Sequence, residues 1–204
     1  MVTIPSLHAD RAVFPALLCL YITSTRSLLG VTKILFTQLI ILAFSSQSAL
    51  LAAGLSEDRR LANLPTTSAQ QLRELATHAD WQVRQAVAMN RKTPVDIFQQ
   101  LANDSNQDVR IALSTNLSTP EEIFFILARD PSEQVRSVVA RFEYVPAAVL
   151  AAMADDQSAE IRLEVARNWN TDIPTLKKLS QDTFDEVRAM ALHSLSDRNR
   201  ENSQ

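Results

Sequence analysis

Arginine recurs at Arg84, Arg110, Arg136, Arg162 and Arg188, each directly after a branched apolar residue (Val83, Val109, Val135, Ile161, Val187), so one unit repeats five times with a period of 26 residues. A fixed period of that length marks a single supersecondary unit that cannot bury its apolar face alone and must stack on its neighbours, which produces an extended solenoid. Such an array presents a surface more readily than an enclosed pocket.

One unit, LANDSNQDVRIALSTNLSTPEEIFFI over residues 101–126, shows how the period divides. Val109, Ala112 and Leu113 stand at i, i+3 and i+4, the spacing of one apolar stripe on a short helix. Ile123, Phe124, Leu127 and Ala128, at i, i+1, i+4 and i+5, predict a second helix. Each repeat therefore reads as a helical hairpin. Asn116, Thr119 and Pro120 punctuate the two helices and return as Asn90, Thr93 and Pro94. Asparagine tolerates the left-handed conformation that ends a helix, threonine accepts an orphan N–H as N-cap, and proline fits the first helical position, where no donor is needed.

Asp104, Asp130, Asp156 and Asp182 fall where the first helix of a unit should start, and Asp130-Pro131-Ser132-Glu133 reads as N-cap, first-turn proline and capping-box acid. Each aspartate also precedes the repeated arginine by six residues: Asp104 before Arg110, Asp130 before Arg136, Asp156 before Arg162, Asp182 before Arg188. Stacking would carry the aspartate of one repeat toward the arginine of a neighbour. Capping alone, and capping combined with an interrepeat ladder, are both open at this level. His78 takes the aspartate's place in the first complete repeat and is read as a cap, and His193 is read as ending the last first helix, where a cation suits the dipole.

The unit L-A-x-D-x-x-x-x-V-R-x-x-V-A-x-N-x-x-T-P resembles the leucine-rich repeat variant family and, more distantly, the HEAT and armadillo-like α-solenoids, over residues 55–204. Leu101, Ala102, Asp104, Val109, Arg110, Asn116, Thr119 and Pro120 meet it in phase. Phe142 departs from it at the asparagine, and Asp172 at the proline, with Pro174 two positions on. The resemblance implies an all-α, right-handed α-α superhelix of helical hairpins and suggests no catalytic residues. Some members of that family carry a cysteine-rich iron–sulfur module before the repeats. Cys19 is the one cysteine here, so no cofactor is carried over.

The boundaries follow from the period. Residues 1–54 form a hydrophobic N-terminal segment, 55–196 the solenoid, and 197–204 a polar tail. Within the solenoid a half-repeat over 55–74 supplies a second helix, ahead of full repeats beginning at 75, 101, 127, 153 and 179. No charge lies between Lys33 and Glu57, and the 11-residue apolar run Ile34–Phe44 is followed by SSQSALLAAG. A basic start, a short apolar stretch and a small-residue exit have the layout of a secretory signal cleaved near Ala49, delivering the repeats to the periplasm or beyond. An uncleaved anchor is the alternative, because the charge-free stretch reaches roughly the 20 residues a span needs, and Arg26 and Lys33 would hold its start in the cytoplasm. A buried helix or a cytoplasmic protein is the third reading. The additional apolar run Ala12–Ile22, interrupted by Pro15, suits none of these and would be absent if translation began near Val31.

Composition narrows the partner. Residues 56–204 hold 17 basic and 22 acidic side chains, a net −5, which argues against a groove that tracks nucleic-acid phosphates. A lone Cys19 excludes an internal disulfide and any cysteine-held metal cluster from this chain alone. His8, His78 and His193 are far apart and lack metal-ligand spacing. Asp155-Asp156 and Asp185-Glu186 are adjacent carboxylates, which point apart on a helix and read as solvated first-turn groups. No catalytic, cofactor or metal site is expected.

The sharper signal lies in two second helices, IFFILA (Ile123–Ala128) and AAVLAAMA (Ala147–Ala154), which are apolar nearly all round. Their counterparts carry Gln99 and Gln100, or Lys177 and Lys178, at the outward positions. Phe125, Ile126, Ala151 and Ala152 thus form a central apolar patch with polar ends. If these helices line the concave face, as in related solenoids, the patch is a groove for a partner helix or peptide. The opposing reading is a covered surface, closed by curvature, a second copy or the N-terminal segment. Trp81, aligned with Gln107 and Glu133, is either an exposed aromatic for binding or a shield over the first hairpin. The functional expectation is a non-enzymatic scaffold for proteins or peptides, with membrane contact only through the N-terminal segment. The alternatives are an α-solenoid enzyme or accessory factor of lyase type, and a self-associating assembly unit.

Overall fold

The 26-residue period becomes a two-row stack of helices in the computed structural model, which describes residues 53–55 and 57–201. Short helices α1 (Ala69–Leu75), α3 (Val95–Leu101), α5 (Glu121–Leu127), α7 (Ala147–Met153) and α9 (Ile173–Leu179) form one row. The longer helices α2 (Trp81–Met89), α4 (Gln107–Ser114), α6 (Glu133–Arg141), α8 (Ala159–Arg167) and α10 (Asp185–Glu201) form the other. Residues 57–63 are also helical, so the half-repeat expected to supply only a second helix contributes to both rows. Among the described residues there is no strand and no helix long and apolar enough to cross a membrane. The signal or anchor expected over 1–54 lies outside the described residues, apart from Ala53 and Gly54.

The core is a set of columns in which the same repeat position recurs. Val83, Val109, Val135, Ile161 and Val187 are each at most 1 % exposed. Leu72, Phe98, Phe124, Leu150 and Leu176 are likewise buried from the short row, and Leu101, Leu127, Met153 and Leu179 close the gap between rows. Burying one such side chain is worth about 1.5–3 kcal/mol, yet a seven-residue helix has too few to stand alone, so every hairpin depends on the next. Neighbouring long helices pack directly against one another, whereas neighbouring short helices touch much less. Contact along the array is therefore carried mainly by the long row.

Two polar ladders join the repeats. In the first, Arg84 Nε donates to Asp104 at 2.6 Å, Arg110 to Asp130 at 2.6 Å, Arg136 to Asp156 at 2.7 Å and Arg162 to Asp182 at 2.6 Å. A second nitrogen of each guanidinium reaches the other carboxylate oxygen, which makes the contact bidentate. A third donates to the main-chain carbonyl six residues earlier: His78, Asp104, Asp130 and Asp156. Arg188 donates likewise to the Asp182 carbonyl, and its ion partner is Asp185 of its own helix. The aspartates are not N-caps. They lie two residues before them and accept the N–H of Asn106, Ser132, Ser158 and Phe184, turning the chain into the helix. The caps themselves are Asp80, Asn106, Ser132 and Ser158, so the sequence reading of Asp130 as cap and Pro131 as first helical residue is displaced by two positions.

His78 obeys the same rule: its Nδ1 accepts the Asp80 N–H at 3.0 Å, so it sets up the turn and leaves capping to Asp80. Its Nε2 lies 3.5 Å from Asp58, which occupies the position of the repeated arginine one period earlier, so the charge order of this rung is reversed. His193 is not at a helix end, because α10 runs on to Glu201 and absorbs most of the expected tail.

The second ladder is built from the punctuation residues: Asn90 and Asn168 do end their helices as C-caps, but not in the left-handed conformation, and the threonines are not N-caps. Asn90 and Asn168 are extended, with φ of −74° and −64°, and no described residue has a positive φ. Asn116 Nδ2 instead donates to the carbonyls of Ala88 at 2.7 Å and Asn90 at 3.1 Å in the preceding repeat. Asn90 reaches Ala62 and Leu64 in the same way, and Asn168 reaches Ala140 and Phe142. Thr93, Thr119 and Thr171 donate their hydroxyls to the carbonyls of Val87, Leu113 and Val165, sealing the ends of the long helices. The short helices then start at Pro94, Pro120 and Pro146, N-caps without any side-chain bond, since the φ of about −62° that proline fixes is what the turn needs. Where Asp172 replaces proline it caps α9 through the Thr175 N–H, with Pro174 in the first turn.

These contacts set two expectations. Arg136→Ala leaves Asp156 buried without its partner, and chemical denaturation should register a loss of about 3–5 kcal/mol; an unchanged transition would remove the ladder from the stability of the fold. Asn116→Ala strips two buried carbonyls of their donor and should cost roughly 1–3 kcal/mol, against less than about 0.5 kcal/mol for the exposed Asn103→Ala.

Candidate functional site

Because column positions point inward in both rows, the positions left over are those that can form an accessible surface. On the short helices these are the fifth and sixth residues: Arg73 and Glu74, Gln99 and Gln100, Phe125 and Ile126, Ala151 and Ala152, Lys177 and Lys178. At the two ends of the array they form polar links between repeats. Arg73 pairs with Asp96 at 2.9 Å, Gln100 donates to the Ala76 carbonyl at 3.1 Å, and Lys178 pairs with Asp155 at 2.5 Å. In the middle the same positions are apolar. Phe125 and Ala151 are half-buried, Ala152 is exposed and Ile126 is 36 % exposed, which makes it one of the large apolar side chains left open to solvent.

Three of the four residues of the expected patch divide between two neighbouring grooves. The first, about 670 Å³, is lined by Ala102, Phe125, Ile126 and Arg129 together with the Arg110–Asp130 rung. The second, about 450 Å³, is lined by Ala152, Met153, Arg129 and the Arg136–Asp156 rung. Both open where short helices run into the following long ones. Ala151 lies outside both linings, and Phe125 is packed against the core as well as facing the groove. Trp81 is part of neither groove: it is half-buried and packs against the core at the start of α2, which matches the shielding alternative.

Electrostatically the grooves are lined by matched charges. Burial pushes the Asp104 carboxyl up, but the Arg84 guanidinium, the Asn106 N–H and the neighbouring charge of Arg110 outweigh it and hold the group below the ordinary carboxylate value. Asp182 moves the same way, led by its hydrogen bond from Arg162 and opposed by burial. Arg84, Arg110, Arg136 and Arg162 are raised, each first by its aspartate. The stabilisation from the two depressed carboxylates is in place above their unfolded pKa of about 3.9 and disappears as pH falls through the lower folded values.

Arg129 is the feature that sequence reasoning passed over. It stands between the two grooves, exposed, and among the described residues its guanidinium has no ion pair, hydrogen bond or ring partner. Aligning the 26-residue repeats would have revealed it, since Arg129 is in the slot of Asp155 and faces Ala152 in the slot of Lys178.

No family model matches the sequence, and no curated protein matches it. Among solved structures, the chain is similar to one described as "A leucine-rich repeat variant with a novel repetitive protein structural motif", with 29 % identity and a TM-score of 0.52. The likeness covers 67 % of this chain and 54 % of that one, so this chain matches about half of the solved protein's length. The resemblance read from the repeat consensus therefore extends to three dimensions: the chain is an all-α solenoid similar in fold and repeat signature to the leucine-rich repeat variant.

Proposed function

We propose that this protein is a non-enzymatic scaffold that binds a peptide or helix of another protein on the outer face of its short-helix row, centred on α5 and α7. The observation that carries the reading is the contrast along that row: the polar links Arg73–Asp96 and Lys178–Asp155 at the ends give way to Phe125, Ile126 and Ala152 in the middle. Ile126 and Ala152 open to solvent, beside a half-buried Phe125 and flanked by charged links, support reading this segment as a docking surface. The net acidic repeat region favours protein over nucleic acid as the partner. Export, or tethering across a membrane, belongs to the same proposal, on the strength of the charge-free stretch after Lys33.

The double variant Ile126→Gln, Ala152→Gln tests the face. Peptides selected on the wild-type protein from a random library should bind the variant at least tenfold more weakly, while its thermal transition stays within a few degrees; selected peptides that hold both proteins equally well place the binding surface elsewhere. Location has its own test, the intact mass and compartment of a C-terminally tagged copy in its own host. A mass beginning between Ala49 and Leu55 in an exported fraction is expected, and a full-length cytoplasmic protein refutes export.

A further inference from the structure

The unmatched guanidinium of Arg129 specifies what the apolar grooves would accept. Every other charged side chain in the groove linings has a counter-ion: Asp104 holds Arg84, Arg110 holds Asp130, Arg136 holds Asp156, and Asp155 holds Lys178. Counting those partners, the two grooves together carry one uncompensated positive charge. The fold does not require it. The same slot is filled by Thr77, Asn103, Asp155 and Gln181 in the other repeats, so the position tolerates neutral and acidic residues alike. Nor does Arg129 serve a link between repeats, because the side chain that would answer it, one repeat on, is Ala152.

Two sources of negative charge close by are excluded by geometry or by prior commitment. Glu121 and Glu122 lie at the opposite end of α5, eight and seven residues before Arg129 and so about 10–12 Å of helical rise from it. Asp130, the residue next to Arg129, is buried and bound bidentately by Arg110. An exposed guanidinium beside Ile126, Phe125 and Ala152 is thus a planar donor set with apolar surface on both sides. That combination favours a carboxylate over other anchors, because the fork of N–H groups matches two carboxylate oxygens and adjoining apolar side chains exclude water from the pair.

The geometry points to a partner segment that is both acidic and apolar: one or two large apolar side chains enter the grooves on either side, and an Asp or Glu between them pairs with Arg129. This rests on the docking proposal above and adds the chemistry of the partner. It also explains how a chain with net acidic repeats would take an acidic ligand, since the short-range pair at Arg129 acts inside a Debye length of about 8 Å while the diffuse surface charge is screened.

Three sets of capped 12-residue peptides test it on the full-length protein, each with leucine and phenylalanine at i, i+3, i+4 and i+7, and carrying Glu, Gln or Lys at the four intervening positions. The Glu set should bind at least tenfold more tightly than the Gln set, with the margin shrinking as salt rises. Arg129→Gln should abolish that margin without changing the binding of the Gln set, and Arg129→Glu should transfer it to the Lys set. Arg129 is exposed and makes no contact that the fold needs, so each variant should keep the wild-type thermal transition. Equal binding of Glu and Gln sets, or a margin that survives Arg129→Gln, overturns the assignment of Arg129. If the Gln set still binds and loses that binding in the Ile126→Gln, Ala152→Gln variant, the docking face stands without it. Failure of all three sets to bind overturns both.

Discussion

A bidentate arginine–aspartate rung spans each of four repeat junctions, and the geometry of the array follows from it. Each rung fastens three pieces of chain at once: the arginine on a long helix, the aspartate twenty residues further on, and the carbonyl six residues before the arginine. The aspartate in turn accepts an N–H two residues ahead and so shapes the entry to the next long helix. A buried ion pair is not in itself a source of net stability, because desolvation offsets much of the attraction. Its contribution is to register. A repeat inserted or shifted by one residue would leave a guanidinium and a carboxylate buried apart, at a cost of several kcal/mol, so the 26-residue period is enforced at every junction. Apolar columns of Val, Leu and Phe supply the cohesion but would tolerate sliding far better.

The second ladder is interrupted once, in the third full repeat. Phe142 stands where Asn90, Asn116 and Asn168 reach back to two carbonyls, and Val145 stands where threonine seals the long helix. The replacement is aromatic packing: Phe142 stacks on Phe124 at 6.0 Å between centroids and touches Tyr144 at 5.7 Å. Two directional hydrogen bonds are exchanged for a contact with no preferred register. Registry at that junction therefore falls to the Arg110–Asp130 and Arg136–Asp156 rungs on the other side of the repeat, where the two grooves open. At the far end Ser194 donates to the Ala166 carbonyl in place of an asparagine, and Arg198 binds the carbonyls of Trp169 and Thr171 while lying over the Trp169 ring at 4.8 Å. Polar residues that read as a tail are thus the cover over the last junction.

Period, the hairpin form of each full repeat and the identity of the core were legible because they depend on recurrence, which a linear sequence displays directly. The roles of Asp, Asn and Thr were not, and for one reason in each case. A side chain that can cap its own helix can equally reach a main-chain group of the neighbouring repeat, and the sequence holds no distance to decide between them. Asp104 to Arg110 is a spacing of six, but the bonded pair is Arg84 to Asp104 at twenty, across the junction. Asn116 carries the signature of a helix stop and spends its amide on Ala88 and Asn90 instead. The patch at Phe125 and Ile126 was legible as an excess of apolar residues, whereas Arg129 was not, since an arginine on a polar surface is unremarkable until its neighbours are known to be paired.

Stability and the proposed recognition fall on different positions of the same 26-residue unit. Columns, rungs and amide clamps use inward or junction positions and repeat with few exceptions. The fifth, sixth and ninth positions counted from the start of each short helix vary without restriction, holding Arg, Gln, Phe, Ala and Lys in the fifth and Thr, Asn, Arg, Asp and Gln in the ninth. A substitution at those positions leaves the rungs and columns intact, so the face can change its ligand while the fold is held fixed from beneath. In this chain the change is concentrated in adjacent repeats, where Ile126, Ala152 and Arg129 converge on two neighbouring grooves. Under the proposed docking, a patch confined to the centre, with charged links on both sides, would limit the length of segment that can bind, and with it the range of partners.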